Sequence, residues 1–85
     1  AVAVFGVDNQ IDMLFEEMAE LQDAICKFRR GRKDVTDIST EIADVQIMLN
    51  QMMHIFKNEE QVKREIENKL VRLEETIREC TYTNK

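Results

Sequence analysis

Two carboxylate doublets at helical spacing, Glu17 with Glu20 and Glu41 with Asp44, are the residues of this chain best placed to do chemistry. Residues three apart share a helix face, so each doublet can present two oxygen ligands in one direction. The midpoint of Glu17 and Asp44, and equally of Glu20 and Glu41, falls between Arg30 and Gly31. A chain that folds back there brings the four acids to one level. Four carboxylates held together repel, and a hard divalent ion that prefers oxygen ligands, Mg²⁺ or Mn²⁺, relieves the repulsion. Such an ion suits a phosphate ester: it polarises the phosphoryl group, neutralises charge and lowers the pKa of a bound water.

Positioning these acids requires helices, and the composition supplies them. The 85 residues include no proline, only two glycines and 34% charged side chains, which predicts an all-α protein with solvated outer faces. Apolar content of 44% argues against disorder. A first helix is expected from Asp8 or Asn9, either of which can cap free N–H groups, to a stop near Gly31. Its apolar residues Ile11, Leu14, Met18, Leu21, Ile25 and Phe28 alternate by three and four. A second helix, capped by Asp34 or Thr36, continues the alternation through Val35, Ile38, Ile42, Val45, Leu49, Met52 and Phe56. Asn58 followed by Gln61 resembles a capping box for a third helix, although no Gly or Pro forces a break and one helix over 35–80 fits the pattern equally. The third seam is Ile66, Leu70, Leu73, Ile77 and Cys80.

Heptad letters drawn from these seams place Glu17 and Glu41 at g, and Glu20 and Asp44 at c. The same letters put Gln10 and Lys69 at g and Arg72 at c, whereas Glu16 falls at f and turns outward. Gln10, Lys69 and Arg72 are therefore candidates to line one cleft with the four acids. The second helix carries further apolar residues off its seam, Ile47, Met48, Met53 and Ile55. A helix apolar on several faces is buried on several faces. An 85-residue chain offers too little partner surface, which predicts a homo-oligomer, a dimer or tetramer, with the helical hairpin and third helix joined in a four-helix-bundle-type assembly.

Charge and cysteine usage narrow the function classes. A net charge of −5 disfavours nucleic-acid polymers as partners, since binding them relies on a basic surface. Basic residues crowd only around the expected turn, at Lys27, Arg29, Arg30, Arg32 and Lys33, where they complement a helix C-terminus. One or two of them, Arg29 or Arg30 foremost, are candidates to reach the phosphates of a small anionic substrate. Cys26 and Cys80 have neither zinc-site spacing nor the density of a secreted disulfide scaffold, so both are expected to be small core residues in a reducing cytoplasm. No apolar run reaches bilayer length, and Ala1 to Phe5 lacks the basic flank and length of a signal peptide; neither a membrane partner nor a leader is expected. The only histidine, His54, has Gln51 three residues before it, which departs from the Glu-x-x-His pattern of di-iron bundles. The chain reads as one domain over 1–85, with tails at 1–6 and 81–85.

Glu16-Glu17-Met18-Ala19-Glu20 followed by Glu41-Ile42-Ala43-Asp44-Val45 resembles the EExxE and ExxD signature of MazG-like proteins of the all-α nucleoside triphosphate pyrophosphohydrolase superfamily. The similarity runs from about Gly6 to Glu79, with Gln10 ahead of the first motif and Lys69-Leu70-Val71-Arg72 in the last helix. It implies Mg²⁺-dependent hydrolysis of a (deoxy)nucleoside triphosphate between the α and β phosphates, giving monophosphate and pyrophosphate. It also implies that Glu17, Glu20, Glu41 and Asp44 hold the metal, with Glu17 and Glu41 as the catalytic pair. Some relatives carry an aromatic residue where this chain has Met48, so base stacking at that position does not transfer. Phosphoribosyl-ATP pyrophosphohydrolases share the architecture and are the neighbouring alternative. A non-catalytic helical oligomer that kept the scaffold is the alternative of another class.

Overall fold

A computed structural model describes residues 6–83; 1–5 and 84–85, most of the expected N-terminal tail and the end of the expected C-terminal one, lie outside the described residues, and 81–83 belong to a helix rather than a tail. The described residues form three helices, α1 (Val7–Arg29), α2 (Val35–Phe56) and α3 (Glu59–Thr83), and no strand occurs among them. The all-α class expected from composition is the observed one. No described helix is long and apolar enough to cross a membrane.

The turn between α1 and α2 is fixed by local chemistry at both ends. Gly31 adopts φ +74°, its N–H donates to the Phe28 carbonyl at 2.9 Å, and the Arg32 N–H donates to the Lys27 carbonyl at 2.9 Å. That pair of bonds is a Schellman motif, which places glycine in the left-handed region to satisfy the last carbonyls of α1. Asp34 then caps α2: its carboxylate accepts from the Asp37 N–H, and the Asp37 carboxylate accepts from the Asp34 N–H, closing a reciprocal capping box. The start of α1 differs from expectation. Gly6, at φ 78° and ψ 164°, stands at the N-cap without a side-chain bond, and the Gln10 N–H donates to its carbonyl at 3.3 Å. Asp8 lies inside the first turn, where it complements the helix dipole instead of capping.

The packing of α1 on α2 is rotated from the apolar stripe. Gln10, Leu14 and Ala24 are buried and Glu17 and Leu21 half-buried, whereas Met18, Ile25 and Phe28 remain exposed. On α2, Met48 is buried and Ile38, Glu41, Asp44, Val45, Met52 and Ile55 are half-buried, while Val35, Ile42, Leu49 and Phe56 recur every seven residues on the open side. In heptad terms the two helices meet through g and d, not a and d. The a column faces outward for almost the whole length of the hairpin. Ala24, with no accessible surface, allows close approach near the turn.

The chain does break between α2 and α3, by a device other than the expected one. Lys57 takes the left-handed conformation, φ 53° and ψ 43°, and its N–H, like that of Asn58, donates to the Met53 carbonyl. The Asn58 side-chain oxygen is buried without a hydrogen-bond partner, so the capping box read at Asn58 and Gln61 does not form. Beyond the junction α3 diverges. Val62 and Ile66 approach Leu49, Met52 and Met53 across a groove, but every residue from Lys63 to Cys80 is exposed. The radius of gyration is 17.3 Å, against about 12 Å for a compact chain of this length. One chain alone therefore leaves its apolar surface open.

Candidate functional site

The rotated hairpin seam determines the site. Because the g columns face inward, Glu17 from α1 and Glu41 from α2 are drawn into the contact between helices, and Glu20 joins them from the rim one turn further along α1. One carboxylate oxygen from each of Glu17, Glu20 and Glu41 lies within 4.8 Å of the others. Asp44 stands outside that group, half-buried, yet its charge acts on both Glu17 and Glu41. Glu16 is exposed, as its f position requires.

Electrostatics at the cluster is that of crowded carboxylates, in which a side-chain hydrogen bond with Glu20 adds to the raised proton affinity of both Glu17 and Glu41. Glu17 Oε2 and Glu41 Oε2 are each buried with no hydrogen-bond partner. Burial is the main cause that raises the pKa of Glu17 above its ordinary value, followed by the charges of Glu20, Asp44 and Glu41. Glu41 is raised in the same way, by burial first and then by Glu20 and Asp44, with Lys33 pulling in the opposite direction. Buried polar atoms are normally paired, and an anionic oxygen without a donor is a costly exception. An oxygen-preferring cation supplies the missing partner, and the donor set, all carboxylate, is that of Mg²⁺ or Mn²⁺ sites rather than of thiolate or imidazole metals.

The remaining sequence candidates are distributed differently. Gln10, in the g column ahead of Glu17, is 3% exposed, and its amide contacts Met13 Sδ at 3.9 Å. Lys69 and Arg72 are exposed on the diverging α3 and are not among the charges that shift Glu17 or Glu41. Arg29 and Arg30 line an open recess with Cys26 at the end of α1, and Cys26 and Cys80 are both exposed rather than in a core, because each lies on a helix face that its own chain leaves uncovered. Met48 is buried between the helices rather than presented to a ligand. The basic residue that does act on the cluster is Lys33, which the sequence pattern did not separate from its four basic neighbours. One signal was available: Lys33 directly precedes the α2 N-cap, where the helix dipole disfavours a cation.

Comparison with known proteins identifies no relative: no protein-family model, curated protein or solved structure matches this chain.

Proposed function

We propose that the chain is a Mg²⁺-dependent nucleoside triphosphate pyrophosphohydrolase of the MazG-like kind, cleaving a (deoxy)nucleoside triphosphate between the α and β phosphates. The observation that carries this reading is the pair of buried, unpartnered oxygens, Glu17 Oε2 and Glu41 Oε2, inside a three-carboxylate group. Glu17, Glu20, Glu41 and Asp44 hold the ion, which supplies Lewis-acid activation and charge neutralisation at the phosphates. Glu17 and Glu41 are the catalytic pair. A carboxylate of this pair takes a proton from an attacking water. Lys69 and Arg72, with Arg29 or Arg30, hold the departing phosphates.

The same reading makes the protein a homo-oligomer, a dimer or tetramer, with the hairpin and α3 completing a four-helix-bundle-type assembly. Its support is the open apolar surface. The chain exposes 7200 Å² where a compact monomer of its mass exposes about 5,200 Å². The outward column Val35, Ile42, Leu49 and Phe56 on α2 and the α3 residues Ile66, Leu70 and Leu73 are all more than 40% exposed. Apolar patches of that extent mark association surfaces.

Incubation with Mg²⁺ and a panel of ribo- and deoxyribonucleoside triphosphates, standard and damaged, followed by chromatography, tests the activity. Monophosphate and pyrophosphate are the expected products. Orthophosphate released first beside a diphosphate, or no metal-dependent turnover of any triphosphate, overturns the reading; including phosphoribosyl-ATP in the panel distinguishes the neighbouring activity.

A further inference from the structure

Two apolar surfaces of this chain lack a cover of their own, and they meet. Around a helix the heptad columns follow one another as a, e, b, f, c, g, d, so a helix that turns g and d to its neighbour carries a and e on one flank and c on the other. In an antiparallel pair the sense of rotation reverses together with the chain direction. The a and e columns of α1 and α2 therefore fall on the same side of the hairpin, and Glu20 and Asp44, both at c, on the other.

The a and e side is free of charge. From Ile11 to Ile25 on α1 and from Val35 to Phe56 on α2 these columns hold no acidic or basic residue, in a chain of which 34% is charged. Asp8 and Arg29 stand only at the two ends of the α1 part. Phe15, Met18, Ile25, Ile42, Leu49 and Phe56 on this side are between 41% and 61% exposed. A solvated helix face carries charged residues, whereas the core of a protein contact is depleted of them. Toward the junction the same side runs into a recess of about 340 Å³, where Leu49 and Met53 stand across from Val62 and Ile66 of α3. Ile66 begins the exposed seam that continues through Leu70 and Leu73, so the hairpin side and the α3 seam are two walls of one corner.

We propose that this corner is the seat of a second copy of the chain, two corners interlocking about a two-fold axis so that each copy covers the uncharged side of the other's hairpin. The inference deepens the homo-oligomer reading and rests on it, not on the hydrolase reading. The size fits. From Val35 to Phe56 α2 rises about 31 Å and two packed helices span about 20 Å, a footprint of roughly 600 Å² before the α3 seam is added, against about 800 Å² that each partner gives to a stable contact. The lack of charge selects the occupant. A foreign partner is discriminated by complementary charges and by repulsion of like ones, whereas an uncharged surface meets its own copy across a two-fold axis with nothing to repel. Glu20 and Asp44 lie on the other flank, so this association leaves them uncovered.

Light scattering across dilution tests the seat by placing charge on one side of the hairpin or the other. Leu49→Glu and Ile25→Glu, one on each helix of the uncharged side, are each expected to weaken self-association on the order of 100-fold, because across a two-fold axis every such substitution buries two unpaired carboxylates. Ile47→Glu, a comparable apolar loss at the f position outside this side, should keep the wild-type mass. Helical circular dichroism should be unchanged in all three, since each of these side chains is exposed in the single chain. Calorimetric titration with Mn²⁺ should give dissociated Leu49→Glu the same uptake as wild type. A wild-type mass of 10.0 kDa overturns the homo-oligomer reading and this inference together. A wild-type oligomer that survives both Leu49→Glu and Ile25→Glu, or that Ile47→Glu dissociates equally, overturns this inference alone, and Mn²⁺ uptake lost together with the mass overturns the placing of the acids outside the contact.

Discussion

The hairpin and α3 use similar sequence periodicities for opposite ends. In the hairpin the interhelical contact is spent on polar groups: Gln10, Glu17, Glu41 and Asp44 occupy positions that a stability-driven pair of helices would fill with leucine. Among the described residues only Leu14, Ala24 and Met48 are buried apolar side chains. In α3 the seam of Ile66, Leu70 and Leu73 is uninterrupted and open, each residue more than half exposed. One region buries carboxylates at the expense of a core, and the other carries an apolar seam that its own chain leaves open. The difference teaches that the two are complementary: a hairpin that buries carboxylates needs packing from elsewhere, and α3 carries the surface that can provide it.

The hairpin half of this comparison breaks most sharply at its acids. Glu41→Gln and Asp44→Asn are each expected to lower Mg²⁺-dependent turnover about 100-fold or more, beyond what loss of an outer-shell partner typically costs. Helical circular dichroism should be unchanged, because removing a charge from a repelling cluster relieves the metal-free chain. Glu16→Gln, exposed and outside the cluster, is the control and should retain most activity. Equal inactivity of Glu16→Gln would mean that the inward face of α1 is misassigned.

The α3 half is tested by placing charge on its seam. Wild-type protein should show, by light scattering, a mass that is a multiple of 10.0 kDa, and Leu70→Glu combined with Leu73→Glu should reduce it to a single chain. A half-exposed leucine that becomes covered contributes roughly 1 kcal/mol, so two such sites in every copy shift the association constant by well over tenfold. A folded wild-type monomer at micromolar concentration would remove the complementarity altogether.

The proton affinities of Glu17 and Glu41 sharpen the comparison further. Both are raised above the ordinary 4.5 in the folded chain, so the fold binds protons more readily than the unfolded chain. These two groups favour the fold fully below 4.5 and lose that support as pH rises through their raised values. Metal-free protein is therefore expected to melt higher near about pH 5 than near about pH 7.5, and Glu17→Gln should flatten that slope. Asp23 acts the other way: the Lys27 hydrogen bond holds it below 3.8, so its support is lost only as pH falls beneath that range. Thermal melts across pH in a chelator, repeated with Mg²⁺, check both the sign and its cancellation by the metal.

How much of this was legible in the sequence follows from what each signal encodes. Proline's absence and the three-four alternation encode helices, and Gly31 with Asp34 encodes the turn, because left-handed backbone and a capping carboxylate are properties of single residues. The proximity of Glu17, Glu20 and Glu41 follows from that turn and a shared register. The rotation that exposes Ile42 and Leu49 while burying Gln10 was not legible, because an apolar stripe states that a face is to be covered but not whether by the same chain or another. Lys33 was hidden among like residues, since charge composition carries no burial. The α2–α3 break was ambiguous for a related reason: its left-handed residue is a lysine, not the glycine that marks the α1 stop.

That junction yields the smallest of the expected effects, and it is the hinge on which the comparison turns. Lys57 has φ 53° with a Cβ, a conformation that costs roughly 1–2 kcal/mol for a side-chain-bearing residue. Lys57→Gly removes that cost and adds some unfolded-state entropy, so a net gain of about 0.5–1 kcal/mol is expected, or a few degrees in melting temperature for a chain of this size. If the bend belongs to the working form, the variant keeps its activity and oligomeric mass while melting higher. If instead α2 and α3 join into one straight helix on assembly, glycine at position 57 weakens that helix interior by about 1 kcal/mol, and the oligomer dissociates more readily even as the isolated chain gains stability. Melting temperature and scattering mass, measured on the same sample across dilution, separate the two outcomes. Only the first keeps the hairpin and α3 as distinct regions meeting at an angle.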